Sequence, residues 1–465
     1  MAQVECRKMK FQKLISSTFT VAAASLLILL VRIVFGATPA THPEANCFLM
    51  HYNSDAPLVN LIFDPLRTDW ASFQARELSY LLDYLDAKFI FHSIHFHHAH
   101  FYSLTALILL MLSSVLIHRK LKQLYPEADA RIIFLIPLMY VTAFAEQTGF
   151  FRSAKPAVAF LLLWVFFTVA EMLKMPENFK SFKAYIPMMI PLLLLPFFDR
   201  IGFFITAACA AGSAVMMLFF ACNYTFGLKE TSDSFKKPFL IFSLAALVSV
   251  IISLIYNFML APWIVQKLNH YPISYEYQTF TTNPSVLSDG ALYIMENYGG
   301  FFFPIYRNAA FAAGLVICLF LTYAVINTAK SAPQKRITMF AFIGVLTASI
   351  ICTGMMISRH PIIKELPTGA YFHVFGAALT GIFAVILLES ENKKVRQLMM
   401  ILVFAAIFTP LVKLICPAVI PKPDMPLHRD STPYTIELLN NPELKQNRIL
   451  PTTSRELILF MRKQK

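Results

Sequence analysis

The chain has 465 residues, 57% of them hydrophobic and only 14% charged; apolar runs long enough to cross a bilayer recur along it, which excludes a soluble globular protein and points to an all-α polytopic membrane protein. The formal net charge of +13 does not indicate nucleic acid, because the Lys and Arg fall in short clusters between apolar spans, where they orient helices in a membrane. Seven cysteines with no CxxC and no metal-type spacing support neither a disulfide framework nor a zinc site, although Cys47 and Cys416 fall on the same predicted side and leave a bridge between them open.

Arg7, Lys8, Lys10 and Lys13 precede an apolar run from about Leu14 to Gly36. At about twenty residues it exceeds the usual core of a cleaved signal, so a retained first span with a cytoplasmic basic flank is favoured over a signal peptide. Residues 37–100 then form a first outer loop. Further spans are predicted at about Phe101 to Ile117, Ile132 to Ala145, Pro156 to Glu171, Ile186 to Phe198, Ile201 to Phe220 and Pro238 to Leu260. A long outer loop follows from Ala261 to Arg307, then spans at about Asn308 to Thr328, Ile337 to Ile357, Gly369 to Leu388 and Leu398 to Ile420, and a polar outer tail, residues 421–465. The clusters His118 to Lys122, Lys174 with Lys180 and Lys183, Lys229 with Lys236 and Lys237, Lys330 with Lys335 and Arg336, and Lys393 with Lys394 and Arg396 mark every second loop as cytoplasmic. About eleven spans, with the N-terminus inside and the C-terminus outside, satisfy this pattern at each step.

The outer ends carry a different set of charges: Glu146, Arg152, Lys155, Asp199, Arg200, Arg307, Arg359 and Lys364. Function is therefore expected to face outward. The stretch from Asn53 to Lys88 is polar and acidic, and it brings Asp55, Asp64 and Asp69 to a membrane edge, where ionised groups are costly without work or partners. Asp64, between Phe63 and Pro65, reads as a turn former. After Asp69, apolar Leu78, Leu81, Leu82, Leu85 and Phe89 recur at three- and four-residue spacing, which predicts an amphipathic helix along the membrane surface. Asp69 is placed to cap that helix, with Arg76 about two turns on along the same face. Asp83, Asp86 and Lys88 read as its solvated side.

The run His92, His95, His97, His98 and His100 invites a metal reading, but its irregular spacing does not put four imidazoles on one helical face, and interfacial packing or acceptor contact is the favoured alternative. Trp263, Tyr271, Tyr275, Tyr277, Tyr293 and Tyr298 make the long outer loop aromatic, as an interfacial belt or as a platform for a sugar. Nothing catalytic is read in the tail from Lys422 to Lys465.

Three stretches together resemble a family. Asp69-Trp70 with Phe73-Gln74-Ala75-Arg76-Glu77-Leu78, the run from His97 to Leu104, and the run from Ala145 to Pro156 are similar to the first outer loop, the entry to the second span and the third outer turn of the C-superfold (GT-C) membrane glycosyltransferases. That family uses lipid-phosphosugar donors and includes protein mannosyltransferases and the aminoarabinose transferases of lipid A. The resemblance covers about the first 200 residues by motif and the remainder by topology. The family's paired acids appear here as the isolated Asp55 and Asp69, and no large soluble domain follows the last span.

The resemblance implies transfer of a sugar from a polyprenyl-phosphate donor to a glycan, lipid or protein acceptor outside the membrane, with membrane lipids as the surroundings and no nucleic acid. It implies Asp69, or else Asp55, as the base that activates the acceptor hydroxyl. Arg152, Lys155, Arg200, Arg307 and Arg359 stand at outer span ends as donor-phosphate ligands, with Arg76, Glu146, Asp199 and His98 in support. A divalent cation, Mg or Mn, or these cationic side chains in its place, would offset charge on the leaving phosphate. Glu146 and Asp199 could ligate such a metal, but ion pairing is the favoured reading for both. Short loops and outer loops without glycosylation sequons favour a bacterial inner membrane. A transporter or flippase, or a non-catalytic partner in envelope polysaccharide synthesis, is the alternative; the former is disfavoured because no internal repeat is found and the charges gather at the outer rim.

Overall fold

A computed structural model of the chain describes residues 17–36, 51–53, 56–63, 76–95, 103–145, 154–221, 232–269, 307–331, 337–347 and 369–415, with a few positions between 288 and 303. Among these residues there are helices and no strands, as expected where backbone groups must be satisfied within each segment. The helices are α1 (Thr18–Gly36), α2 (Leu58–Ile62), α3 (Glu77–His95), α4 (Leu104–Leu124), α5 (Ala130–Phe144), α6 (Ala154–Lys174), α7 (Ile186–Phe198), α8 (Arg200–Ala221), α9 (Ser232–Ile255), α10 (Ala261–Asn269), α11 (Arg307–Ser331), α12 (Ile337–Thr347), α13 (Gly369–Glu389) and α14 (Lys393–Ile415). A π turn, Tyr256–Leu260, joins α9 to α10 without a break. Leu104–Leu124, Ala154–Lys174, Lys237–Leu268 and Asn308–Ser331 are long and apolar enough to cross a membrane.

Every apolar segment read from the sequence carries a helix, but several boundaries differ. The helix α4 continues through the basic cluster His118 to Lys122, and α14 begins at Lys393 and so takes its basic cluster into its first turn. The outer loop expected from Ala261 is helical to Asn269. At about 1.5 Å per residue, the 32 residues of Lys237–Leu268 extend about 48 Å, well past the roughly 30 Å hydrocarbon layer. Its end is tied to α2 by Asn60, whose amide donates to the Leu268 carbonyl at 3.1 Å.

The helix α6 is the centre of the packing. In it 72% of the apolar window is buried, against 33% in α9 and in α11, and it lies against α4, α7 and α13. Small residues allow that closeness: a Cβ on Gly376 would overlap the Phe144 ring of α5, and one on Gly381 would stand 2.8 Å from Phe166 of α6. Phe166 also stacks on Phe340 of α12 at 5.6 Å. The outward faces remain apolar. Leu398, Ile401, Phe404, Phe408 and Val412 form an exposed stripe on α14, and Leu315, Leu319, Tyr323 and Ile326 form one on α11; stripes at this spacing face lipid rather than water.

One proline inside the bundle is compensated from a neighbouring helix. Pro196 of α7 has no N–H to give the Leu192 carbonyl one turn back, and Ser249 of α9 supplies a donor there at 2.6 Å. A second hydroxyl bond between segments runs from Thr409 of α14 to the Phe302 carbonyl at 2.7 Å.

Candidate functional site

The helix α3 positions the site, and it does so with the face that sequence periodicity assigned to solvent. Asp83 and Asp86 are fully buried, as are Ser79 and Ala87, whereas Leu85 of the apolar stripe is half exposed. The helix therefore turns its acids toward the bundle and leaves its leucines only partly covered. Lys88 packs its ammonium over the Tyr84 ring, 5.4 Å from the centroid. The helix α3 begins at Glu77 with Arg76 before it, and Asp69, expected as its cap, lies outside the described residues.

Asp86 fixes α3 to the start of α4. Its carboxylate accepts from the Ser103 hydroxyl at 2.5 Å, the Thr105 amide at 2.9 Å and the Thr105 hydroxyl at 2.7 Å. Ser103 in turn accepts from the Ala106 amide at 3.0 Å, so the first turn of α4 is capped twice over. Burial raises the Asp86 pKa, and these hydrogen bonds oppose the rise.

Arg76, at the head of α3, reaches the turn between α7 and α8. There Asp199 Oδ2 meets Lys155 Nζ from the first turn of α6 at 2.6 Å and Arg76 Nη1 at 3.5 Å. Its Oδ1 accepts from the Ile201 amide at 3.0 Å, which caps α8. Arg76 Nε donates to the Tyr80 hydroxyl at 3.2 Å, and the guanidinium lies 5.5 Å from that ring's centroid. All three charged side chains are largely enclosed, Asp199 at 4% exposure, Lys155 at 13% and Arg76 at 14%. Burial alone would raise the Asp199 pKa; Lys155 and Arg76 outweigh it and hold the carboxyl below the usual carboxylate range. The tightness of the turn depends on Gly202, since a Cβ there would run into the Leu195 carbonyl.

Glu77, next to Arg76, is enclosed differently. The residue is 8% exposed, and burial pushes its pKa up to about 7, opposed by its own backbone amide, the Tyr256 hydroxyl and Arg76. Tyr256 lies against it, yet neither carboxylate oxygen completes a hydrogen bond of good geometry.

The opposite end of the bundle holds a second polar group. Glu171 of α6 takes Lys120 Nζ at 2.5 Å and Gln123 Nε2 at 2.8 Å, both from α4. The Tyr125 hydroxyl donates to Glu389 of α13 at 2.6 Å, with the Lys174 ammonium 3.5 Å from the Tyr125 ring centroid. These contacts tie α4, α6 and α13 together.

Of the residues singled out in the sequence, Arg76, Lys155 and Asp199 come together. Arg200 opens α8 beside Asp199, and Arg307 opens α11. Asp55, Asp69, Glu146, Arg152, Arg359 and His98 lie outside the described residues. Asp199 is held by two cations, which is the favoured ion-pairing reading. Among the described residues no three His, Cys, Asp or Glu side chains group as a metal site. Sequence reasoning passed over Glu77, Tyr80, Asp86 and Tyr256 as individual participants. The first three lie on α3, where Glu77, Tyr80, Asp83 and Asp86 recur every third position; that spacing winds about 60° per step and spreads them over half the helix circumference, so no single polar face announced them. Comparison of the chain with family models, with curated protein sequences and with solved structures gives no match.

Proposed function

We propose that the chain is an integral membrane glycosyltransferase of the C superfold, which moves a sugar from a polyprenyl-phosphate donor to a glycan, lipid or protein acceptor on the outer side of a bacterial inner membrane. In this reading about eleven spans run from a cytoplasmic N-terminus to an outer C-terminus. The observation that supports it is the meeting of Arg76 and Lys155 at Asp199. Two enclosed cations, from the first outer loop and from the start of α6, stand together at one end of the bundle, where the phosphate of a lipid head group would sit.

The chemistry asked of this region is an inverting displacement. The acceptor oxygen forms a bond to the anomeric carbon as the bond from that carbon to the donor phosphate oxygen breaks. The hydroxyl proton passes to a carboxylate of the first outer loop, Asp69 or Asp55, and the electron pair leaves with the polyprenyl phosphate. Arg76 and Lys155 offset the charge that gathers there, with Arg152, Arg200, Arg307 and Arg359 as further candidates. A Mg or Mn ion would supply the same stabilisation.

The test is sugar transfer by purified protein in liposomes from a labelled polyprenyl-phosphate sugar. Lys155→Met is expected to raise the donor KM, and Asp69→Asn or Asp55→Asn to abolish turnover. Undiminished transfer in both aspartate variants would remove these carboxylates as the base. Donor accumulation in the vesicle lumen with no covalent product would establish a transporter instead.

A further inference from the structure

The carboxyl of Glu77 lies next to the ion-pair cluster yet takes no part in it. It is enclosed in the first turn of α3, with both oxygens shut off from solvent and lacking a well-formed hydrogen bond. Its polar surroundings are Tyr256, which opens the π turn, and Arg76. The charged and titratable neighbours of Arg76 are Asp199, Tyr80 and Asp83, and Lys155 stands on the far side of Asp199. A carboxyl in such a place is more stable with its proton than without it, because its own backbone amide, Tyr256 and Arg76 only partly replace the water that an ionised group has lost.

Two states of the site follow from the position of Glu77. When Glu77 is neutral, the guanidinium of Arg76 is directed to Asp199 and Tyr80. When Glu77 is ionised, a second carboxylate bids for the same guanidinium. The contact between Arg76 and Asp199, at 3.5 Å, is looser than that between Lys155 and Asp199, at 2.6 Å, so it is the one that gives way. A guanidinium has five donors in a fixed fork, and turning that fork toward Glu77 removes it from any anion brought to Lys155.

We infer that Glu77 sets the anion specificity of the outer cluster: neutral, it leaves Arg76 and Lys155 to receive a lipid phosphodiester, and ionised, it excludes that anion by drawing Arg76 away. The inference rests on reading this cluster as the donor-phosphate site.

The experiment is calorimetric titration of the full-length protein, in phosphatidylcholine nanodiscs, with farnesyl methyl phosphate, a phosphodiester whose single charge does not change over the range used. Wild-type affinity is expected to fall about tenfold between about pH 5.5 and about pH 8, the change that one group titrating near neutrality produces. Glu77→Gln is expected to hold the low-pH affinity at both values. Infrared spectra give a second measurement: the C=O stretch of a protonated carboxyl, present in the wild type at the lower pH, should be missing from Glu77→Gln. An equal fall in both proteins, or a wild-type affinity that does not change with pH, overturns the inference. Binding lost in both proteins at every pH overturns it together with the reading of the cluster as a phosphate site. Binding controlled by Glu77 in a protein that transfers no sugar leaves the inference standing and overturns the glycosyltransferase reading alone.

Discussion

Asp199 is enclosed between two cations, and that arrangement sets the cost of removing it. Asp199→Asn leaves Lys155 and Arg76 largely buried without their carboxylate, and breaking a buried pair from one side costs about 3–5 kcal/mol. The unfolding midpoint in detergent should fall sharply, and adding Lys155→Met should recover part of the loss; a double variant no more stable than Asp199→Asn would show that the two residues do not share their energy. Glu77 gives a prediction of opposite sign in pH. The unfolded chain releases this proton near 4.5, the folded chain near 7; between those values the folded state binds more protons, so stability falls as pH rises, by about 3 kcal/mol in all. Asp199 behaves in the reverse way, its contribution being present above its ordinary value of 3.8 and lost as pH falls below it. Across the range 4.5 to 7 the unfolding midpoint of the wild type should fall relative to that of Glu77→Gln as pH rises, and a constant difference between the two would remove this contribution. Lys155 and Asp199 stood out in the sequence as charges at span ends and Arg76 as a residue of the helix after Asp69, but their meeting was not legible, because Arg76 and Asp199 are 123 positions apart and only the packing of α3 against α6 and α7 brings them together.

For the individual helices, periodicity showed that α3 exists but assigned its faces wrongly. Three- and four-residue spacing identifies two sides of a helix without saying which solvent each side meets. In water the leucines of such a helix turn inward; beside a membrane they can turn outward, and the acids then need partners within the protein. Asp86 has found three, at Ser103 and at two groups of Thr105. Asp86→Ala removes an N-terminal cap and strands the Ser103 and Thr105 hydroxyls, an effect of about 1–3 kcal/mol. Hydrogen exchange should accelerate at the first turn of α4 while the far end of the helix, near Leu121 and Leu124, is unchanged; uniform exchange along α4 would count against a local cap. The bond from Ser249 to Leu192 works on the same principle, and no sequence pattern announces it, since the missing donor of Pro196 is in one helix and the hydroxyl that replaces it is in another.

For the molecule as a whole, alternation of apolar and basic segments located the helices, whereas their ends ran past the predicted limits. Apolar runs end where the hydrocarbon ends, but backbone hydrogen bonding continues into the polar layer, as in α4 through Lys122 and in α10 to Asn269. The direction of crossing then follows from which ends carry the Lys and Arg, and it can be checked at exposed described positions. Gln266 lies near the end of α10 that Asn60 of α2 holds, whereas Lys180, between α6 and α7, and Lys394, at the start of α14, lie in basic segments. In a background without the native cysteines, a membrane-impermeant maleimide applied to intact cells should label Gln266→Cys and spare Lys180→Cys and Lys394→Cys, and all three should react once the membrane is opened. The reverse pattern would turn the molecule over in the membrane and put Arg76, Lys155 and Asp199 on the cytoplasmic side. A donor presented at the outer leaflet could not then reach them, and the proposed reaction would have no place to occur.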